Sequence, residues 1–176
     1  MPQKFETMID LEQFRANVER EGVLCKEYAL LWDNAGSKKQ LMDMALSAQG
    51  ADTICYSIAN GWGISTDEIL RRFKRYINGA YTHEAKSGYT SVLYCKYYGS
   101  IDAEDTLVIL IDCDTTIYVP DWAVCSIYAT GKTNISIIGG GRVRLVAYGD
   151  PANVTVESVS EDCKFKRVQK TELDRG

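Results

Sequence analysis

The sequence has few of the residues that metal sites, secretion and membrane insertion require. It contains one histidine, three prolines and no C-x-x-C pair, and a single histidine is too few for most zinc sites. Residues 1–14 lack the apolar core of a signal peptide, and the most apolar stretch, residues 107–111, is far too short to span a bilayer. These absences predict a cytoplasmic protein without a metal, a cofactor or a membrane contact.

The remaining composition is that of an ordinary folded protein. With 176 residues, of which 45% are hydrophobic and 25% charged, the chain can bury a core as one domain or as two small, closely packed ones. The six cysteines are even in number, which is typical of a disulfide framework in a secreted domain. They are dispersed, however, and mostly have apolar neighbours, so we predict buried free thiols.

The net charge of −4 is unevenly distributed along the chain. Residues 71–96 contain six basic residues and one glutamate, whereas residues 97–121 contain six acidic residues and no basic one. The two segments either neutralise each other across the fold, which is the interpretation we favour, or the basic segment faces a polyanion.

The first half of the chain, residues 1–82, indicates a domain of five short helices. Three helices begin with a capping pair, in which Asp or Ser precedes a glutamine or glutamate by three positions, ahead of an apolar 3.6-residue period. The pairs are Asp10 with Gln13, Ser37 with Gln40, and Ser65 with Glu68. Two further helices are predicted over 24–32 and 52–59, with stops at 34–36 and 49–50.

The second half, residues 83–176, indicates a β-repeat domain packed against the helices. Residues 89–98 are rich in strand formers, and short strands recur from residue 107 at intervals of roughly nine or ten residues. The later strands centre near Tyr118, Ile127, Ile135, Leu145, Val154 and Phe165, with polar or glycine-containing turns between them. The predicted fold class is therefore α+β.

The arrangement of these strands has two interpretations. One is a β-solenoid in which two short strands form a coil of about nineteen residues, and the other is an antiparallel meander or sandwich. We favour the solenoid, because the chain has no strong Asn-Gly or Asp-Gly hairpin signal. In a solenoid, the helical half could cap one end and protect an otherwise exposed apolar coil.

Residues 55–77 resemble the helix-turn-helix motif of DNA-binding regulators. The resemblance depends on the small Ala59, on Gly63 four positions later at the turn, and on four apolar positions. These positions are Ile58, Trp62, Ile64 and Ile69. The sequence departs from the motif at Arg72, where an apolar residue is expected, although Phe73 beside it could take that place.

The resemblance implies that a helix over 65–77 would enter the major groove of DNA. Thr66 would then lie near base edges, and four cations of the helix would contact phosphates. The four are Arg71, Arg72, Lys74 and Arg75. Asp67 and Glu68 would oppose a polyanion at the leading end of the helix. A helix pair with a glycine turn is also a common structural element, and this is the interpretation we favour.

Other candidate chemistry is sparse. His83, next to Glu84, is too far in sequence from Cys95 for its spacing to indicate a cysteine–histidine pair. Asp112 and Asp114 end an apolar segment and could present two carboxylates on one face, but further ligands are missing. Gly131-Lys132-Thr133 lacks the first glycine of a P-loop. We therefore predict no catalytic residues and no enzyme activity.

Taken together, the helical half, Arg75 to Tyr81 and the glycine-punctuated repeats resemble uncharacterised proteins carried by gut bacteria and their phages. We predict a non-enzymatic binding module whose repeat face contacts another macromolecule, because repeats present extended surfaces. The partner is expected to be a protein, and DNA binding through residues 55–77 is the alternative. The predicted interaction surface comprises Tyr128, Arg142, Arg144, Lys164 and Lys166.

Overall fold

A computed structural model describes residues 8–104 and 106–171. In these residues, five α-helices precede ten β-strands, and none of the helices is long and apolar enough to cross a bilayer. The helices are α1 (Leu11–Glu21), α2 (Lys26–Asp33), α3 (Lys38–Ala45), α4 (Ala48–Ala59) and α5 (Thr66–Arg72), followed by a 3-10 turn, Lys74–Tyr76. The strands are β1 (His83–Glu84), β2 (Thr90–Cys95), β3 (Tyr98–Asp102), β4 (Thr106–Ile111), β5 (Asp114–Tyr118), β6 (Val124–Thr130), β7 (Thr133–Ile138), β8 (Arg142–Tyr148), β9 (Val154–Val159) and β10 (Lys164–Lys170).

The strands form a two-sided β-solenoid of about four coils. One sheet has the order β1-β2-β4-β6-β8-β10 and the other β3-β5-β7-β9, and all pairs are parallel except β1 with β2. Thr90 lies beside Thr106, 16 residues later, and Arg142 lies beside Lys164, 22 residues later. The prediction of a solenoid in an α+β protein is confirmed, and the meander is excluded because consecutive coils pair in parallel.

The coils turn at a repeated left-handed corner. A residue with positive φ directly follows β2, β4, β6 and β8: Lys96 (50°), Asp112 (52°), Gly131 (69°) and Gly149 (83°). The sequence indicated a single strand region over residues 89–98. In the structure, these residues contain β2, a corner and the first residue of β3. Glycine marks only two of the four corners, because lysine and aspartate can also adopt this conformation at a cost of about 1 kcal/mol.

The six-stranded sheet is buried on both faces where the helices cover it. All six residues of β4 are buried. Val108 and Leu110 belong to the core between the two sheets, whereas Leu107, Ile109 and Ile111 pack against the helical half. α4 lies across β4, β6 and β8. In the described part of the chain, the helices thus pack on the outer face of this sheet, where the solenoid was expected to be capped at one end, because this face carries apolar side chains that need cover.

The three predicted helix starts are confirmed. Asp10, Ser37 and Ser65 each accept a hydrogen bond from the backbone N–H three residues later, at 2.8, 3.2 and 3.3 Å. These bonds satisfy N–H groups that have no partner within the helix.

The predicted stop at 49–50 is wrong. Gln49 and Gly50 lie in the first turn of α4, which Ser47 caps. A Cβ atom added at Gly50 would lie 2.4 Å from the carbonyl oxygen of Met44. The glycine is therefore needed for the close approach of α3 and α4, and not to end a helix.

The cysteines are free thiols, as predicted. Four of them, Cys55, Cys95, Cys113 and Cys125, are buried, whereas Cys163 is half-buried and Cys25 is exposed. Burial raises the pKa of Cys95 and of Cys125 to about 12. These two thiols consequently stay protonated and unreactive at neutral pH.

A pair of isoleucine variants tests whether the helical layer stabilises the sheet. Ile109→Ala removes a side chain that is completely buried between β4 and the helices, and should lower the free energy of unfolding by about 2–5 kcal/mol. Ile138→Ala truncates the same residue type at a position that is 43% exposed, and should cost much less. Urea unfolding followed by circular dichroism measures the free energy of unfolding of both variants. Equal losses of stability in the two variants would show that the helical layer does not stabilise the sheet at Ile109.

Candidate functional site

The helix-turn-helix region contains two helices with a tight glycine turn. The left-handed residue of this turn is Gly61, with a φ of 81°, and not Gly63 as the motif implied. A Cβ atom at Gly63 would lie 2.5 Å from the backbone nitrogen of Ile58. Gly63 is thus required for close packing at the end of α4. α5 ends at Arg72 and a 3-10 turn follows, so the helix predicted over 65–77 is interrupted.

Two of the cations predicted to contact DNA are held by a buried glutamate. The side chain of Glu68 is 7% exposed and accepts hydrogen bonds from Arg72 Nε at 2.6 Å and Arg71 Nη2 at 3.0 Å. Arg72 also lies 3.4 Å from Glu12. These cations are therefore neutralised by acids that precede them in the chain, and not by the acidic segment 97–121.

The remaining predicted contacts of this region are spread over its surface. Lys74 and Arg75 are exposed on the 3-10 turn that follows α5. Thr66 is half-buried in the first turn of α5. Asp67, beside Thr66, lies 3.6 Å from Lys96 in an exposed ion pair. Of the four cations predicted to contact DNA, Lys74 and Arg75 are therefore the two that make no ion pair with a described residue.

His83 belongs to a polar cluster that sequence reasoning missed. Its Nδ1 lies 3.0 Å from Asp43 Oδ1, the Tyr81 hydroxyl donates to the same oxygen, and Lys39 lies 3.0 Å from Oδ2. Burial would raise the pKa of Asp43, but the bonds from Tyr81 and Lys39 outweigh it and hold the pKa below 3.8. The cluster links α3 to the start of the β half.

The two aspartates after β4 have separate structural positions. Asp112 lies at a corner, where its Oδ1 accepts a hydrogen bond from the Lys132 backbone at 2.9 Å. Asp114 lies on the outer face of the four-stranded sheet and accepts a bond from Asn134 at 3.4 Å. No group of three His, Cys, Asp or Glu residues in the described ranges is placed to hold a metal ion.

Four of the five residues predicted as an interaction surface lie together on the outer face of the six-stranded sheet. Arg142 pairs in register with Lys164, and Arg144 with Lys166. Strands are about 4.8 Å apart and alternate residues about 6.7 Å apart, so the four side chains form a compact rectangle. We call these four residues the cationic patch. All four are exposed, and none forms an ion pair with a residue that the structure describes.

The fifth predicted residue, Tyr128, lies in the next row of the same face. It pairs with Val146 and is half-buried against the helical layer. Along β8, the outward residues change from Arg142 and Arg144 to the buried Val146 and Tyr148. The patch is consequently the part of the outer face that the helices leave uncovered.

The pH dependence of stability should show the role of Glu68. Burial would raise its pKa, but the hydrogen bonds from Arg72 and Arg71 outweigh burial and lower it below 4.5. The ion pairs therefore stabilise the fold above pH 4.5, and this contribution is lost as the pH falls through the lowered pKa. Glu68→Gln should destabilise the protein by about 1–3 kcal/mol at pH 7.

Urea unfolding from pH 7 down to pH 3 measures this effect, and the difference between Glu68→Gln and the parent chain should narrow at acid pH. Glu19→Gln is the matched control, because Glu19 pairs with Arg15 at 3.7 Å on the surface, with its side chain 79% exposed. It should change stability by less than about 0.5 kcal/mol. If Glu68→Gln lowered the free energy of unfolding equally at every pH, the ion pairs of Glu68 would not be the source of the stability.

Comparison of the chain with protein-family models, with curated proteins and with solved structures found no match. The resemblance to proteins of gut bacteria and phages therefore stays a prediction. A function has to be inferred from the geometry and charge of the described residues.

Proposed function

We propose that the protein is a macromolecular binding module whose cationic patch holds an acidic segment of a protein partner. The observation that supports this proposal is the in-register array of Arg142, Arg144, Lys164 and Lys166, in which no member forms an ion pair with a described residue. The array is present in a chain whose net charge is −4, so an overall excess of basic residues does not explain it.

Repulsion between the four cations lowers the stability of the folded protein, so stability does not explain why they lie together. Like charges that lie opposite each other on neighbouring strands repel each other and destabilise the fold. Two such pairs, Arg142 with Lys164 and Arg144 with Lys166, lie side by side. An anionic partner would relieve this repulsion, because each cation would gain a counter-charge on binding.

Protection of a sheet edge explains only half of the array. β10 is at the edge of the described six-stranded sheet, and lysines on an edge strand discourage pairing with other chains. Lys164 and Lys166 have this position. Arg142 and Arg144 lie on β8, which pairs with β6 and β10 on its two sides. The two arginines therefore need another explanation, for which we propose ligand binding.

Exposed apolar side chains next to the patch indicate a protein as the partner. Val124 pairs with Arg142 and is 38% exposed, and Trp122, two residues earlier, is 65% exposed. An acidic segment with an apolar or aromatic anchor would satisfy both surfaces, since aromatic anchors contribute strongly to protein interfaces.

DNA binding through α5 is the alternative, and the geometry supports it less. Arg71 and Arg72 already bind Glu68, so a phosphate would have to compete with a buried carboxylate. Lys74 and Arg75 alone would contribute to few phosphate contacts, and affinity for DNA rises with their number.

A double charge reversal tests the proposed partner. Arg142→Glu with Lys164→Glu should weaken binding of a fluorescent peptide, made of alternating Asp and Glu around one Trp, by about tenfold or more. Fluorescence anisotropy over a salt series measures this affinity. Lys86→Glu with Lys132→Glu is the control, since it makes the same change of charge at exposed positions outside the patch.

The control should change affinity by less than about twofold, because screening limits the effect of distant charges. Equal weakening in the two variants would show that overall charge decides binding and would contradict the proposal. Binding of mixed-sequence duplex DNA that is lost in Lys74→Ala with Arg75→Ala would favour the alternative function.

A single reversal should separate stability from binding. Lys166→Glu places a carboxylate opposite Arg144, so it replaces a repulsive cross-strand pair with an attractive one. We expect the free energy of unfolding to rise by about 0.2–1 kcal/mol, while binding of the acidic peptide weakens. Urea unfolding and anisotropy measure the two effects. A loss of stability would show that the patch cations do not repel each other.

A further inference from the structure

A cleft of about 620 Å³ lies where the helical layer ends on the six-stranded sheet. One wall is the connection between α1 and α2, residues 22–25, and another is the first turns of α4. The sheet supplies the floor through Tyr128, Arg144, Val146 and Lys170. The volume of the cleft is in the range of small-molecule binding sites.

Three charged side chains line this cleft, namely Asp52, Arg144 and Lys170. Asp52, whose side chain is 11% exposed, accepts a hydrogen bond from Lys170 Nζ at 2.9 Å and another from the Tyr148 hydroxyl. Asp52 and Lys170 thus form a salt bridge in the lining of the cleft. Arg144 makes no ion pair with a described residue, so its guanidinium is available to an anionic ligand.

The other lining groups add an apolar surface and a further positive potential. Val23 and Leu24, both half-buried, provide aliphatic surface. Ala48 and Gln49, at the start of the twelve-residue α4, place the positive end of a helix dipole on one wall. The lining thus combines one anion-binding position with an apolar region.

Another concavity of the described chain is smaller and has no charged lining. It measures about 90 Å³ and is lined chiefly by apolar and aromatic side chains, including Phe14 and Trp32. The Thr53 hydroxyl in its lining already donates to the Gln49 carbonyl. Because none of its lining residues is charged, it offers no ionic partner to an anionic ligand.

We propose that the larger cleft binds a small organic monocarboxylate with a short apolar body. Arg144 would bind the carboxylate through two parallel hydrogen bonds, a geometry that the planar guanidinium favours. The apolar body would contact Val23 and Leu24. These apolar side chains favour an organic carboxylate over inorganic phosphate, which has no apolar body.

Cys25 provides a reporter within the cleft. It is the one exposed cysteine among the described residues, and it lines the cleft. Cys163, half-buried near the end of the solenoid, serves as an internal reference. Alkylation of both by the neutral reagent iodoacetamide is followed by peptide mass spectrometry of the full-length protein, with and without hexanoate.

Hexanoate should slow alkylation of Cys25 but not of Cys163. Hexylamine, which has the same apolar body and the opposite charge, and inorganic phosphate, which has no apolar body, should protect much less. Arg144→Gln should weaken protection by hexanoate about tenfold or more, since it removes a charge-assisted pair. Arg142→Gln is the matched control, because Arg142 lies on the same strand outside the cleft.

Four results would overturn the proposal. Equal protection by hexylamine would show that apolar contact alone is responsible, and equal loss in Arg142→Gln would show that only the general field of the patch matters. Protection by the acidic peptide in place of hexanoate would assign the cleft to the partner surface. Failure of hexanoate to protect, with peptide binding intact, would refute this proposal and leave the binding function in place.

Discussion

The need to cover both faces of the six-stranded sheet determines most of this structure. β4 carries apolar side chains on both of its faces, and the solenoid can bury only the inward set. The outward set, with Ile109 at its centre, needs a second layer, which α4 supplies. The helical half thus lies along the side of the solenoid, and the other helices pack around α4 and the first strands.

The polarity of the outward residues decides where this helical layer ends. Along β8 they change from two arginines to Val146 and Tyr148, and the helices cover only the latter pair. At this boundary Asp52 of α4 accepts hydrogen bonds from Tyr148 and Lys170. Burial, the nearby Cys55 and this bond raise the pKa of Tyr148, so its hydroxyl remains a donor. A satisfied polar group therefore ties the helices to the sheet.

The proposed binding surfaces follow from the same boundary. The cationic patch is the uncovered portion of the face, and the cleft is the gap between the last covered row and the helices. Arg144 belongs to both, because it is the outward residue of β8 nearest to the covered rows. A protein partner on the patch would lie next to a small ligand in the cleft, so each could influence the binding of the other.

The sequence by itself determined the elements: helix starts at Asp10, Ser37 and Ser65, and short alternating strands at regular intervals, because capping and side-chain periodicity are local properties. It favoured a solenoid over a meander, and the parallel pairing of the strands decided between them. It also determined that Arg142 and Lys164 share a face. Tertiary structure decided that they are in register, that Glu68 binds Arg71 and Arg72, that Asp43 lies beside His83, and that the helices cover a side of the solenoid. These features join residues distant in the chain, and no local pattern encodes which distant segments meet.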